Sequence, residues 1–225
     1  RIQHTPLMGQ QEIAGKMKNV EVVAGGSYKL EIPDGPTYYA EKVSVRPFLQ
    51  RFMYKKFVKG NDNTPNRFVK TVMANDLNSD MKDNNGGFNC GKPAGFIKDW
   101  AALPDTMKEL IKSIKRVRAL FGVVELVNAT DENGNAVDVE ATPFIWEIDN
   151  RDAFKTMGDQ FNKLSKMQRL PPQHNMSCKT KEVPLPNGSS FYVPEIELDL
   201  GTTIDMDNST QEVFANFMAW IENYN

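Results

Sequence analysis

The chain contains 225 residues, with 27 lysines and arginines against 29 aspartates and glutamates, so its net charge lies close to neutrality. This length is enough to bury a substantial core, and two cysteines, Cys90 and Cys178, are too few for a disulfide-stabilised scaffold, which indicates a reduced, intracellular protein. No apolar run is long enough to span a bilayer and the first 19 residues lack the apolar core of a signal peptide, so we expect a soluble, cytoplasmic protein without a membrane partner.

Charge is distributed unevenly along the chain. Residues 182–225 contain eight acidic side chains and no lysine or arginine, so the remaining 181 residues hold all 27 cations against 21 anions. A basic body followed by an acidic C-terminal segment is typical of proteins that bind a polyanion and use the acidic end to contact a partner or to regulate themselves. The segment is equally compatible with a solvated acidic face, because it is apolar enough to fold.

The elements predicted before residue 60 are an arm, a hairpin and one long strand. Residues 1–18 show no period and are expected to form an N-terminal arm. Two short alternating runs flank Gly25 and Gly26, which predicts a β-hairpin. Residues 42–59 then read KVSVRPFLQRFMYKKFVK, a stretch with six basic residues, four aromatic residues and no acidic residue.

Alternation along this strand separates two faces. Val43, Val45 and Leu49 lie on the face that is expected to pack in the core. The opposite face interleaves cations with aromatic rings and is expected to be exposed. Its residues include Arg46, Phe48, Phe52, Tyr54 and Lys56.

A second hairpin is predicted around the turn GNDNTPN, and Arg67 and Lys70 extend its basic character on the returning strand. Residues 75–97 are rich in Asn, Asp and Gly and lack any helix or strand period, which predicts a long loop. Such loops are usually functional or disordered, and a loop beside a binding strand can order over a ligand. The candidate ligand contacts are Lys92 and Phe96 in this loop and Lys98 directly after it.

The second half of the chain predicts three helices among further strands. One helix begins after Pro104, and another runs from about Arg151 to Met167 with Asp149 or Asn150 as its cap. The last helix follows a capping box formed by Ser209 and Glu212, and it is expected to bury Val213, Phe214, Phe217 and Ile221.

No repeat or linker divides the sequence, so we expect a single domain over residues 1–225. About eight strands in successive hairpins with three inserted helices predict an α+β, mostly β fold. The architecture expected is an elaborated OB-like antiparallel barrel with about three helices, because that fold needs long curved strands such as the one over residues 42–58.

Cations that alternate with flat rings match a single-stranded nucleic acid, whose unpaired bases stack on aromatic side chains while lysine and arginine bind its phosphates. Aromatic residues are also common in ordinary strands, and long basic side chains cover apolar surface, so a purely structural role is the competing interpretation. Stacking does not read the 2′-hydroxyl, so DNA and RNA both stay open. The predicted nucleic-acid contacts are Arg46, Phe48, Arg51, Phe52, Tyr54, Lys56, Arg67, Lys70, Arg116 and Arg118.

Three segments, VSVRPFLQRFMYKKF, IKSIKRVRALFGVVEL and PFIWEIDNRDAFKTMGDQFNKL, resemble the single-stranded DNA-binding proteins of tailed bacteriophages, a divergent OB-fold group. The resemblance is one of overall order and covers about residues 18–200. It implies nonspecific binding that protects single-stranded DNA in phage replication, recombination or repair inside the host cell. It also implies contacts with replication or recombination proteins through residues 182–225, and it is compatible with an array of copies along one strand. The sheet-face role that it implies falls on Arg46, Phe48, Phe52, Tyr54 and Lys56.

The remaining motifs give little support to catalysis or metal binding. The cysteines and histidines include Cys90, His174 and Cys178, but no CxxC-like pair marks a zinc site, so neither a metal nor a cofactor is predicted. A buried thiol near a surface imidazole is the simpler description of Cys178 and His174. The chain has neither a GxSxG motif nor a GxxxxGK[ST] motif.

A non-enzymatic binder of single-stranded DNA is therefore the leading hypothesis, and two other classes stay open. A structural or virion protein would use the aromatic strand as a protein interface. A metal-dependent nuclease would use carboxylates of the long loop, namely Asp76, Asp80 and Asp83.

Overall fold

The computed structural model describes residues 17–23, 25–77 and 99–225. The predicted arm up to residue 16 and the loop residues 78–97, with the candidate residues Asp80, Asp83, Lys92 and Phe96, lie outside the described residues, as does Lys98. The strands are β1 (Lys18–Val22), β2 (Tyr28–Glu31), β3 (Thr37–Ala40), β4 (Lys42–Val58), β5 (Arg67–Lys70), β6 (Ile114–Val127), β7 (Thr142–Ile148), β8 (Met176–Pro184) and β9 (Ser190–Leu198).

Three α-helices occur in the described ranges: α1 (Asp105–Lys112), α2 (Arg151–Lys166) and α3 (Asn208–Tyr224). α2 begins as predicted, because the Asn150 side chain accepts hydrogen bonds from the backbone N–H groups of Asp152 and Ala153. None of these helices combines the length and the apolar character needed to cross a membrane.

The predicted α+β, mostly β class and the three helices are confirmed, whereas the closed barrel is not formed. The strands build one mixed sheet in the order β3-β2-β1-β7-β6-β4-β8-β9, with β5 paired to β4. β1 runs parallel to β7. The sheet is therefore mixed, whereas the sequence predicted an antiparallel one. β3 is a strand that the sequence did not predict.

Two hydrogen bonds from side chains join the β1–β2 hairpin to β8. The Tyr28 hydroxyl donates to the carbonyl of Lys179 at 2.8 Å, and the Thr180 hydroxyl donates to the carbonyl of Gly26 at 2.6 Å. A Cβ atom at Gly26 would collide with the ring of Tyr192, so glycine is required for this approach. The β1–β2 hairpin thus contacts β8 and β9.

The chain divides into two compact units. Unit 1 comprises residues 1–50 and 119–223, and unit 2 comprises residues 51–118 with Tyr224 and Asn225. The boundaries at residues 50 and 118 fall inside the long strands β4 and β6. No linker marks either boundary, which is why the sequence indicated a single domain.

In unit 1, β4 is buried on both faces. Val43 and Val45 are buried on one face, as predicted, and Phe48 is buried on the other. α3 covers Phe48, because its Phe217 ring meets the Phe48 ring edge-on with centroids 5.6 Å apart. The sequence alone did not show that a helix covers this face.

The acidic segment 182–225 is folded, since it contains the end of β8, all of β9 and α3. The cap of α3 is Asp207, whose carboxylate accepts from the backbone N–H of Thr210 at 2.8 Å and from its hydroxyl at 2.9 Å. The predicted capping box of Ser209 and Glu212 is therefore wrong. Phe214, predicted to be buried, is 41% exposed.

Unit 2 is organised around the hairpin of β4 and β5. The register places Lys55 opposite Lys70 and Phe57 opposite Phe68. On its other edge β4 is also held, because the Phe57 backbone N–H donates to the carbonyl of Ser113, directly after α1.

The turn of this hairpin is closed by polar residues, as its sequence predicts. Asn61 and Thr64 exchange two backbone hydrogen bonds, and the N–H of Gly60 donates to the side chain of Asn66 at 2.7 Å. A Cβ atom at Gly60 would collide with the carbonyl of Thr64, so the chain can only approach this closely at a glycine.

Candidate nucleic-acid interface

The predicted binding face of β4 is largely occupied by other parts of the protein. Phe48 is 3% exposed and Tyr54 is 9% exposed, so neither ring offers a face to a base, and both predictions are corrected. Tyr54 belongs to a small core with Ile114, and its hydroxyl donates to the carbonyl of Leu77 at 3.2 Å. Burial raises the pKa of Tyr54, and the positive charge of Arg116 partly opposes this effect.

Two arginines of the predicted set make internal contacts. Arg46 donates through Nε to the carbonyl of Pro172 at 2.8 Å and through Nη2 to the hydroxyl of Thr210 at 3.1 Å. Its guanidinium also lies 5.2 Å from the centroid of the Phe48 ring. Burial lowers the pKa of Arg46, and the nearby Asp207 carboxylate partly offsets this. Arg46 therefore holds β4 against the residues around α3.

Arg118 is buried, and its guanidinium lies 4.9 Å from the centroid of the partly buried Phe52 ring. This cation–π contact brings together two residues of the predicted set within unit 2. It also occupies one side of Phe52, so the pair acts as packing. Arg51 is partly buried as well, and burial lowers its pKa.

The exposed aromatic surface lies on the other face of the hairpin. Phe57 is 40% exposed and Phe68 is 52% exposed, and their rings meet edge-on with centroids 5.6 Å apart. The Nζ atom of Lys55 lies 4.8 Å from the centroid of the Phe68 ring. Lys70 stands opposite Lys55 in the register and shares its face. We call Lys55, Phe57, Phe68 and Lys70 the aromatic–lysine cluster.

Two other cations of the predicted set lie on the opposite face of the hairpin. Lys56 stands opposite Val69 and Arg67 stands opposite Val58, so alternation places them on the face opposite the cluster. Arg67 and Arg116 are exposed, and Lys56 is partly buried. Lys70 alone of the predicted residues belongs to the cluster.

Positive charge is concentrated in unit 2. The sequence of this unit contains 14 lysines and arginines against seven aspartates and glutamates. Unit 1 holds the remaining 13 cations against 22 anions. The cluster therefore belongs to the cationic part of a nearly neutral chain, which is the electrostatic condition for binding a polyanion.

The possible metal ligands give no centre in the described ranges, where no three His, Cys, Asp or Glu side chains are placed to hold an ion. His174 is buried, with Nδ1 2.9 Å from the carbonyl oxygen of Asp199, so the predicted surface imidazole is wrong. Cys178 is buried as predicted, and burial raises its pKa to about 12. Cys90 lies outside the described residues, as do two carboxylates of the nuclease hypothesis, Asp80 and Asp83.

The spacing of residues about the turn indicates that Phe57 pairs with Phe68, which the prediction of an exposed face on β4 did not use. Phe57 and Phe68 are equally spaced about the turn that Asn61 and Thr64 close, and equal spacing pairs residues across a hairpin. Alternation places Lys55 and Phe57 on the same face of β4 as Val43, Val45 and Leu49, the face that was predicted to pack in the core. No family model, curated protein or solved structure matches the chain.

Proposed function

We propose that this protein is a non-enzymatic, sequence-nonspecific binder of single-stranded DNA, and that the aromatic–lysine cluster is its contact surface. The observation that carries the proposal is the exposed Phe57–Phe68 pair with Lys55 and Lys70 on one face of a hairpin. A role in protecting DNA during phage replication or recombination belongs to the same proposal and rests on the resemblance in sequence.

The chemistry of the cluster fits unpaired bases better than a duplex. A phenylalanine ring presents an apolar surface with no hydrogen-bonding group, so it can stack on any base that is free of its own stack. Lysine is a flexible point charge that meets a phosphate without reading sequence. In a duplex the base faces are already stacked, and only the lysines retain a partner.

The test is a titration of labelled oligo(dT) and of a duplex of equal length, followed by fluorescence anisotropy. We expect salt-sensitive binding to the single strand, which weakens about tenfold or more in a Phe57→Ala/Phe68→Ala variant, because one stacked base is worth about 1–3 kcal/mol. Phe214→Ala is the matched control, since Phe214 is 41% exposed on α3 in the acidic unit 1. Equal affinity of wild type and the double variant for oligo(dT) would contradict the proposal.

The same exposed rings favour one competing function, an interface with another protein. That function predicts no affinity for oligo(dT) and an association that is indifferent to salt. Contacts with replication or recombination proteins through residues 182–225 are a separate part of the proposal. In unit 1, the exposed acidic side chains of this segment include Glu195, Glu197 and Glu212.

A further inference from the structure

The strand segment that follows β5 contains a β-bulge. Tyr54 and Thr71 continue the β4–β5 register, since the N–H of Thr71 donates to the carbonyl of Tyr54 at 2.9 Å. Phe52 then pairs with Ala74 through two backbone hydrogen bonds of 2.8 and 2.9 Å. One residue of β4, Met53, thus stands opposite two residues, Val72 and Met73, so the register shifts by one residue.

A bulge leaves backbone groups outside the ladder, and two side chains satisfy them here. The Oδ1 atom of Asn225 accepts from the N–H of Met73 at 2.8 Å, and its Nδ2 atom donates to the carbonyl of Met73 at 2.9 Å. The hydroxyl of Tyr224 donates to the carbonyl of Thr71 at 3.0 Å. The Asn225 amide therefore replaces the neighbouring strand for Met73, which is buried.

The side chain of Thr71 also takes part in the hydrogen bonding at the bulge. Its hydroxyl oxygen accepts from the N–H of Tyr54 at 2.9 Å, a bond that a regular ladder would give to the Thr71 carbonyl. Because Tyr224 takes that carbonyl, the side chain of Thr71 substitutes for it. The hydrogen bonds at Thr71 and Met73 thus all favour a bulge at this position along the strand.

We infer that Tyr224 and Asn225 are positioning residues for the aromatic–lysine cluster, because they fix the bulge at residues 71–73 and with it the register in which Phe57 faces Phe68. If the bulge moved towards the turn, Phe57 would stand opposite Val69 and the Phe68 side chain would pass to the other face of the hairpin. The exposed ring pair would then be lost. The effect on ligand binding rests on the proposed function, whereas the effect on the ring pair does not.

The experiment compares wild type with Asn225→Ala and Tyr224→Phe, using Asn223→Ala as the control at an exposed neighbouring position. In the free protein we measure the NMR contact between the rings of Phe57 and Phe68 and the amide exchange of residues 67–74. In Asn225→Ala we expect a weakened ring contact and exchange at Met73 that is faster by about tenfold, because its N–H loses its partner. Asn223→Ala should match wild type.

The same variants are titrated with labelled oligo(dT) at several salt concentrations. Asn225→Ala should bind about threefold to tenfold more weakly, since part of one stacking contact is lost, while the salt dependence stays unchanged because no cation is removed. An unchanged ring contact and unchanged exchange in Asn225→Ala would overturn the inference, whereas a weakened ring contact with wild-type affinity would contradict the cluster as the contact surface. If wild type itself does not bind oligo(dT), the proposed function fails, and the ring contact in Asn225→Ala alone decides whether these residues set the register.

Discussion

Phe48 and Phe57 belong to the same strand and differ in what covers them. Phe48 is packed under Phe217 of α3, whereas Phe57 is 40% exposed beside Phe68. A buried phenylalanine contributes to stability through the apolar area and the volume it fills, and an exposed pair offers that area to a ligand. The two residues should therefore respond in opposite ways to the same substitution.

We predict that Phe48→Ala lowers the free energy of unfolding by about 3–5 kcal/mol, because it opens a cavity in the core of unit 1. Phe57→Ala should lower it by less than about 1 kcal/mol, because its side chain is substantially solvated. Urea denaturation measures both values. The affinity for oligo(dT) should follow the reverse order, with the larger loss in Phe57→Ala under conditions where Phe48→Ala is still folded. A Phe57→Ala variant as unstable as Phe48→Ala would show that Phe57 is part of the core.

Asp207 gives a prediction for the pH dependence of stability. The backbone N–H and then the hydroxyl of Thr210 hold the pKa of this carboxyl below its ordinary value of 3.8, and Arg46 adds to the effect. The unfolded chain thus binds a proton more readily than the folded one. The stabilisation is present above the ordinary pKa and is lost as the pH falls through the lower, folded pKa.

Asp207→Asn keeps an oxygen that can cap α3 but removes the titration, so its free energy of unfolding should fall less steeply than that of wild type between about pH 5 and pH 2. Urea denaturation at a series of pH values gives the difference curve. Other carboxyls, such as Asp131, whose pKa is also lowered, cancel in this difference because both proteins contain them. Parallel curves would contradict the role assigned to Asp207.

At the level of elements, periodicity and turn residues were enough to predict most of the fold. The hairpin at Gly25 and Gly26, the long strand β4 and the Asn150 cap of α2 all depend on neighbours in sequence, and all three are present. The exposed face of β4 depends on contacts between residues far apart in the chain. Phe48 is covered by Phe217, so the residue pattern of β4 alone does not show that this face is buried.

The sequence predicted the hairpin of β4 and β5, with Lys70 in it, but it predicted exposed aromatic rings on the face of β4 where Phe48 and Tyr54 are buried. Alternation of side chains distinguishes a buried face from an exposed one only when one face of the strand meets solvent. In unit 1, β4 is buried on both faces. Phe57 and Phe68 are exposed where β4 continues beyond Met53 to the turn and pairs with β5. The turn residues indicate the pairing of Phe57 with Phe68, but they do not indicate that the two rings are exposed.

The turn of this hairpin should be sensitive to one methyl group. Gly60→Ala places a Cβ atom against the carbonyl of Thr64, so the turn must open and the bonds between Asn61 and Thr64 must lengthen. We expect faster amide exchange in β5 and weaker binding of oligo(dT). Asn63→Ala is the control, because only the backbone of this exposed residue takes part in the turn, through a 3.0 Å bond to the Asn61 side chain. A Gly60→Ala variant with wild-type exchange would show that the turn relaxes without cost.

At the scale of the whole molecule, the net charge near zero is the sum of two units with opposite net charges. Unit 2 has twice as many cations as anions in its sequence, and unit 1 has an excess of anions. A polyanion that approaches the protein is therefore attracted by one unit and repelled by the other, and salt screens both effects over about 10 Å at 0.1 M ionic strength. The net charge of the chain is thus a poor guide to how it would interact with a polyanion.

This charge distribution yields a quantitative prediction for the two lysines of the cluster. Each phosphate neutralised on a single strand contributes about 0.7 to the slope of log K against log salt, so Lys55→Ala/Lys70→Ala should reduce that slope by about 1.4. Lys179→Ala/Lys181→Ala removes the same charge from two exposed positions on β8 in unit 1 and should leave the slope as in wild type. Titrations of labelled oligo(dT) at four or more salt concentrations give each slope. Equal changes in the two double variants would mean that the protein attracts DNA through its overall charge, and a change only in the Lys179/Lys181 variant would place the contact surface in unit 1.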